Sequence, residues 1–257
     1  MLENIIDNFW FGLQEKSVVT NEKPIEEKIF MDYLFKFQNG DFSAKREFVD
    51  FFLNASEWNT YVSGIRLFMA VCSHSDIELL SSFLSECDEN HLRVFLAFVP
   101  ESLTIQAVPY LLALYETWED TDVGQDIAST ICEMLGEEYH DEVRYDVNEL
   151  GNLFISFSEK NDLLLYYYDG KEYFVGEMTK KIISVAAYCH SKSIGFLCDI
   201  MSSVISNGTG VECPVHYNIN ISDDVMNQLF EYVKSLIEKQ QTPGKKYFFN
   251  HIINNDD

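Results

Sequence analysis

The stretch Ile25-Glu26-Glu27-Lys28-Ile29-Phe30-Met31-Asp32-Tyr33-Leu34-Phe35-Lys36-Phe37 decides how the rest of the chain is read. Ile25, Ile29, Phe30, Tyr33, Leu34 and Phe37 recur at steps of three and four, the spacing that lines up side chains on one face of a helix. Pro24 stands where a first helical turn tolerates a missing N–H, and Gly40 where a helix ends. Ser43 reads as the cap of a second helix that buries Phe48, Phe51, Phe52 and Leu53, with Glu47 near its positive end. The same periodicity predicts helices over 58–72, 76–87, 89–99, 103–117 and 123–135.

These helices read as pairs. Phe51-Phe52-Leu53, Ser82-Phe83-Leu84 and Tyr110-Leu111-Leu112 take similar places in the first helix of each pair, 31 and then 28 residues apart. Ile65-Arg66-Leu67 and Val94-Phe95-Leu96 stand 29 apart in the second helices. A period of this size predicts stacked helical hairpins over 25–136, HEAT-like although shorter than the roughly 40–47 residues of a typical HEAT or armadillo unit.

The C-terminal part, 137–257, reads as helical with one small β-hairpin. A helix over 146–158 leads to Leu163-Leu164-Leu165-Tyr166-Tyr167-Tyr168-Asp169-Gly170-Lys171-Glu172-Tyr173-Phe174-Val175, where Asp-Gly between apolar runs signals a type I′ turn. Helices over 178–190 and 194–206 follow, and the stretch Gly208-Thr209-Gly210-Val211-Glu212-Cys213-Pro214 marks a turn. Ser222 or Asp223 caps a helix to about Gln240, stopped by Pro243-Gly244 before an aromatic tail, Tyr247-Phe248-Phe249. The fold class is mainly α, in one domain of 257 residues.

The charge excludes whole classes of function. With 42 Asp and Glu against 18 Lys and Arg, the formal charge is -24, the wrong sign for nucleic-acid binding by phosphate neutralisation and for an anionic membrane surface. Hydrophobic residues at 47% separate the chain from disordered acidic polypeptides. Cys72, Cys87, Cys132, Cys189, Cys198 and Cys213 lack the spacing of a disulfide framework and read as reduced thiols. The N-terminus shows no secretory signal, and no run approaches the roughly 18 apolar residues of a membrane span, so a cytoplasmic protein is expected. Three sequons, at Asn54, Asn207 and Asn220, mean little without a secretory route.

Residues 101–150 concentrate the acidity, with 13 Asp and Glu against one base, Arg144. Clustered carboxylates repel one another, and a basic protein partner would relieve that cost. Glu116, Trp118, Glu119, Asp120, Asp122 and Asp126 are the candidate partner-binding residues, the acids steering and orienting the partner and Trp118 either a desolvated anchor or a core residue. The bland alternative is a solvated helical face with carboxylates at helix N-termini. Asp120-Thr121-Asp122-Val123-Gly124-Gln125-Asp126 resembles the start of a calcium loop, but its glycine comes one position early and Ile131 replaces the bidentate Glu. Cys189-His190, Cys198 and Cys213-Pro214-Val215-His216 have metal-capable side chains but only one closely spaced Cys/His pair, so small buried hydrophobes are the plainer reading and no metal or other cofactor is expected. Cys213 with His216 could form a nucleophile and base, yet neither an orienting acid nor an oxyanion motif accompanies them. No phosphate-cradling Gly loop, His-Glu-x-x-His helix or Gly-x-Ser-x-Gly elbow is present, and catalysis is not expected.

Several stretches resemble the immunity protein 47 family of bacterial polymorphic toxin systems. They are Phe9-Trp10-Phe11-Gly12, Gly64-Ile65-Arg66-Leu67-Phe68, Phe95-Leu96-Ala97-Phe98 through Val108-Pro109-Tyr110-Leu111-Leu112-Ala113-Leu114, and Trp118-Glu119-Asp120-Thr121-Asp122. Gly210-Val211-Glu212-Cys213-Pro214-Val215 and Pro243-Gly244-Lys245-Lys246-Tyr247-Phe248-Phe249 extend the likeness over nearly the whole chain. The resemblance implies a largely helical inhibitor that binds a cognate toxin and has no catalytic residues to carry over. The acidic composition agrees independently, since a basic toxin would be steered to such a surface. The alternative is a helical-repeat scaffold for protein interactions in bacterial or phage regulation, and a third class is a hydrolase or transferase using Cys213 and His216.

Overall fold

The computed structural model describes residues 25–140, 145–198, 200–237, 239 and 241–254. The Phe9–Gly12 motif, Pro24, Asp141, Glu142, Arg144 and Gln240 lie outside the described residues. The chain is mainly α-helical, with eleven α-helices and two small antiparallel two-strand sheets among the described residues.

In the first half, α1 (Ile25–Gln38) is followed by α2 (Lys45–Leu53), α3 (Trp58–Val71), a 3-10 segment (Ser75–Leu80) with the four-residue α4 (Ser81–Leu84), and α5 (Glu89–Phe98). Two 3-10 segments, Val99–Ser102 and Ile105–Ala107, lead to α6 (Val108–Trp118) and α7 (Asp122–Leu135). The second helices α3, α5 and α7 pack in succession, and α2 and α6 each lie against the helix that follows. The close approach of α2 and α3 requires Gly64, where a Cβ would lie 2.3 Å from Phe52 Cβ.

Four details depart from the sequence expectations. The buried line of α1 is Phe30, Leu34 and Phe37, whereas Ile25 and Ile29 are exposed. Ser43 is not a cap: its hydroxyl donates to Asp41 Oδ1 at 2.6 Å, and α2 starts from Ala44 with no side-chain cap. The helix expected over 76–87 is instead the 3-10 segment plus α4, because Ile77 and Leu80, three apart, satisfy the core equally well in the tighter winding. The helix expected from 103 begins at Val108, since Leu103 is left-handed at φ 59 and Pro109 belongs in a first turn.

The second half contains α8 (Val147–Ser158), β1 (Tyr167–Tyr168), β2 (Lys171–Glu172), α9 (Val175–Lys192), α10 (Ile200–Thr209), α11 (Asp223–Leu236), β3 (Tyr247–Phe248) and β4 (His251–Ile252). The Asp169-Gly170 turn has positive φ at both residues, 52 and 66, as its sequence predicts. Ser222 is the cap of α11, accepting from Val225 N at 3.3 Å. The aromatic tail forms a second hairpin beyond the single one expected, with Phe248 opposite His251. The helix expected over 178–190 lies within α9, whereas the one expected over 194–206 starts later, as α10 at Ile200, because Ser193 closes α9 in the left-handed region and Gly195 then bridges to Asn220. Gly208 and Thr209 are in or at the end of α10, so the turn starts at Gly210, φ 64.

Buried side chains form two clusters, one running from α1 to α8 and one across α9, α10 and α11. Phe248 and Ile253 of the second hairpin belong to the first cluster, so the chain's end is sewn into its helical hairpins. At that seam Lys246 Nζ, buried, donates to Met69 O at 2.6 Å, Cys72 O at 2.9 Å and Ser102 O at 3.0 Å.

His74 sits at the same seam, stacked 4.1 Å from the Tyr166 ring and bonded to Thr104 Oγ1 and Leu164 O. Burial pushes its pKa down to about 4 from 6.5. Below pH 6.5 the unfolded chain therefore takes up a proton that the folded chain refuses until about pH 4, and stability present at neutral pH is lost across that window. Urea unfolding at pH 7 and pH 5 should show the protein losing ~1–2 kcal/mol more than a His74→Gln variant. Equal losses would show that His74 titrates normally in the fold.

Candidate functional site

Sequence reasoning placed the candidate partner-binding residues at the end of α6 and the start of α7, and the structure builds that corner from the backbone up. Trp118 O accepts from Thr121 N at 2.9 Å and Thr121 Oγ1 at 2.6 Å, and Thr121 in turn caps α7 by accepting from Gly124 N at 3.2 Å. Gly124 is required because a Cβ there would lie 2.4 Å from Trp118 O. The early glycine of the calcium-like stretch thus serves helix packing, and Asp122 and Asp126 lie on α7 instead of wrapping a loop. Glu116, Asp120 and Asp122 are exposed, whereas Trp118, Glu119 and Asp126 are half-buried.

The six candidates do not form one cluster. Asp126 turns toward α5, where Arg93 forms ion pairs with it and with Glu89, and the nearby carboxylates raise the guanidinium's pKa. Trp118 instead walls a groove between α4 and α6, with Leu84, Cys87, Tyr110, Ala113 and Leu114 as its apolar lining and Ser81, Ser85, Glu86 and Thr117 at its polar edges. The cavity is about 260 Å³. Glu116 lies one turn beyond Ala113, and neighbours three apart share a helix surface. Burial pushes the Cys87 thiol up to about 11, so it enters the groove as a neutral apolar group.

The metal and nucleophile candidates have other tasks. Cys189 is fully buried in the second core, and His190 bonds Ile221 O at 2.8 Å through Nδ1 while its Nε2 lies 3.2 Å from Asp223. Among the described residues no group of three or more His, Cys, Asp or Glu is placed to hold a metal ion. Cys213 is buried with its thiol pushed up to about 11, mainly by desolvation, so it is protonated at neutral pH. His216 is exposed and its Nδ1 faces Tyr217 O at 3.2 Å.

The sequence model of the immunity protein 47 family matches residues 5–253, nearly the whole chain. The chain belongs to the immunity protein 47 family. No curated protein and no solved structure matches it. The stretches that resembled the immunity protein 47 family include the groove wall, through Tyr110, Ala113, Leu114 and Trp118, and the seam lysine Lys246. In this family member the groove's other wall, Ser81 to Cys87, was missed, because it sits on a short irregular helix where periodicity names core residues and not surface ones. Among the described residues no helix is long and apolar enough to cross a membrane.

Proposed function

We propose that this chain is a non-catalytic, cytoplasmic immunity protein that neutralises one cognate bacterial toxin by stoichiometric binding. The family match over residues 5–253 is the observation that supports this reading most. The net charge of -24 supports a basic toxin as the partner, since opposite charge speeds encounter and fixes orientation. Glu116, Trp118, Glu119, Asp120, Asp122 and Asp126 are the proposed toxin-facing residues, presented by HEAT-like hairpins within a single domain. Asp126 then acts through its pair with Arg93, which a partner's base would compete to replace.

Co-expression with the product of the adjacent toxin gene tests the reading, scored for rescue of growth and recovery of a complex. Rescue with a complex is the expected result. Failure of both beside a demonstrably toxic neighbour overturns it and returns the chain to the scaffold class. In the complex, Ala at Glu119, Asp120 and Asp122 together should slow association by roughly tenfold at low salt and flatten its salt dependence. Unchanged association kinetics would remove these acids from the interface.

A further inference from the structure

Two tryptophans flank the short helix α4. On one side Trp118 walls the groove. On the other, Trp58 at the start of α3 is 46% exposed, its ring 5.4 Å from Tyr61 and 5.1 Å from His91. Phe83 of α4 completes this aromatic group, 5.7 Å from Tyr61 and 5.8 Å from His91, while its neighbours Ser81, Leu84 and Ser85 face the groove. One four-residue helix therefore divides an apolar slot from an open aromatic platform.

The slot of about 260 Å³ is smaller than the roughly 300–1,000 Å³ of small-molecule pockets and is open to solvent, which suits a single inserted side chain. The electrostatics select its flanks. From Asp76 to His140 the sequence has 14 Asp and Glu against one Lys or Arg, Arg93, itself held by Glu89 and Asp126. Glu86 edges the slot, and Asp88, 2.8 Å from His91 Nδ1, edges the platform. An exposed indole beside carboxylates is the best aromatic seat for a Lys or Arg.

We propose that the toxin docks across α4 with an extended basic segment, placing an apolar side chain in the slot and a Lys or Arg on Trp58. A helix is about 10 Å wide and an extended chain rises about 3.3 Å per residue, so about three residues separate the two anchors. The proposal rests on the immunity reading and gives it a surface, with tryptophans that the toxin would cover, anchors of the kind that dominate binding energy, and acids that steer.

The test measures Kd for the adjacent gene's toxin with the unaltered protein, Trp58→Ala, Ala113→Phe and a control, Ser184→Phe, on the exposed face of α9. Thermal unfolding is recorded for each, and Ser85→Phe, from the opposite wall, replaces Ala113→Phe if the latter misfolds. Filling the slot should weaken binding by about 30-fold and removing the indole by about tenfold, with the control unchanged. If the unaltered protein binds and both variants stay within twofold of it, the surface is wrong while immunity stands. If the unaltered protein neither protects nor binds, the immunity reading fails and the surface falls with it.

Discussion

Replacing Lys246 by Met is expected to lower the free energy of unfolding by about 3 kcal/mol or more, which for a chain of this size is a Tm drop of roughly 6–12 °C. The ammonium has three N–H donors, and Met69 O, Cys72 O and Ser102 O take one each. Met69 O and Cys72 O lie at the carboxyl end of α3, where carbonyls lack helical partners and the dipole favours a cation. Two terms oppose. Burial lowers the lysine's pKa, which records a real desolvation cost that Met would remove. Against this, Met leaves the buried Cys72 and Ser102 carbonyls without this donor, at about 1–3 kcal/mol each, and Met69 O with only the weak Cys72 Sγ–H, and that sum is the larger. Lys246→Arg should fail to rescue, because a planar fork needs room that the site filled by Cys72 Sγ at 3.6 Å does not offer. A loss under about 1 kcal/mol by urea unfolding would mean that the carbonyls find water instead.

That lysine shows where sequence reading stops. Periodicity located α1, α3, α5, α7 and α8 to within a residue or two, since each presents one continuous apolar stripe. It failed where a distant segment decides. Phe249 and Asn250 form a type I′-like turn with φ of 50 and 65, although Phe resists that region. Their N–H groups are fixed by Asn207 O at 2.7 Å and Gly208 O at 2.9 Å, and Gly210 leaves space for the Phe249 ring. No local pattern around Tyr247 announces partners some forty residues earlier. Two signals were legible and passed over: Pro109, which marks a helix start, and Asp146-Val147-Asn148-Glu149, a capping box in which Asp146 and Glu149 each bond the other's backbone.

The candidate site divides in the same way. Its acids were legible because charge is a property of composition, and Trp118 because an aromatic among carboxylates is conspicuous. The groove was not, since it joins α4 to α6 across an intervening helix, and the pairing of Asp126 with Arg93 spans 33 residues. Trp58, at the start of the helix expected over 58–72, was not singled out, because exposure of a tryptophan depends on which neighbours stop short of covering it.

Glu101→Ala should destabilise the protein by about 3–5 kcal/mol, comparably to the loss of Lys246. The Glu101 carboxylate is 2% exposed, with Arg66 Nε 3.5 Å from one oxygen and Ser203 Oγ donating to the other at 2.8 Å. Arg66 is 11% exposed and lies 5.4 Å over the Phe98 ring, so it cannot swing into water without leaving its packing. Removing the acid takes a buried counter-charge from Arg66, which is the expensive half of breaking such a pair. Replacing both groups by Met should therefore recover most of the stability, whereas Glu101→Gln should fall between, keeping an acceptor for Ser203 but not the charge. A double variant as unstable as Glu101→Ala would show that the ion pair is incidental and that packing at this turn decides. The same turn offers Ser102 O to Lys246, so residues 101 and 102 fasten both α10 and the last hairpin to the helical hairpins. On the proposed surface, weakening this turn should lower protection in cells through abundance and not through toxin affinity, because the groove lies between α4 and α6 and Trp58 begins α3, at the opposite end from Met69 and Cys72.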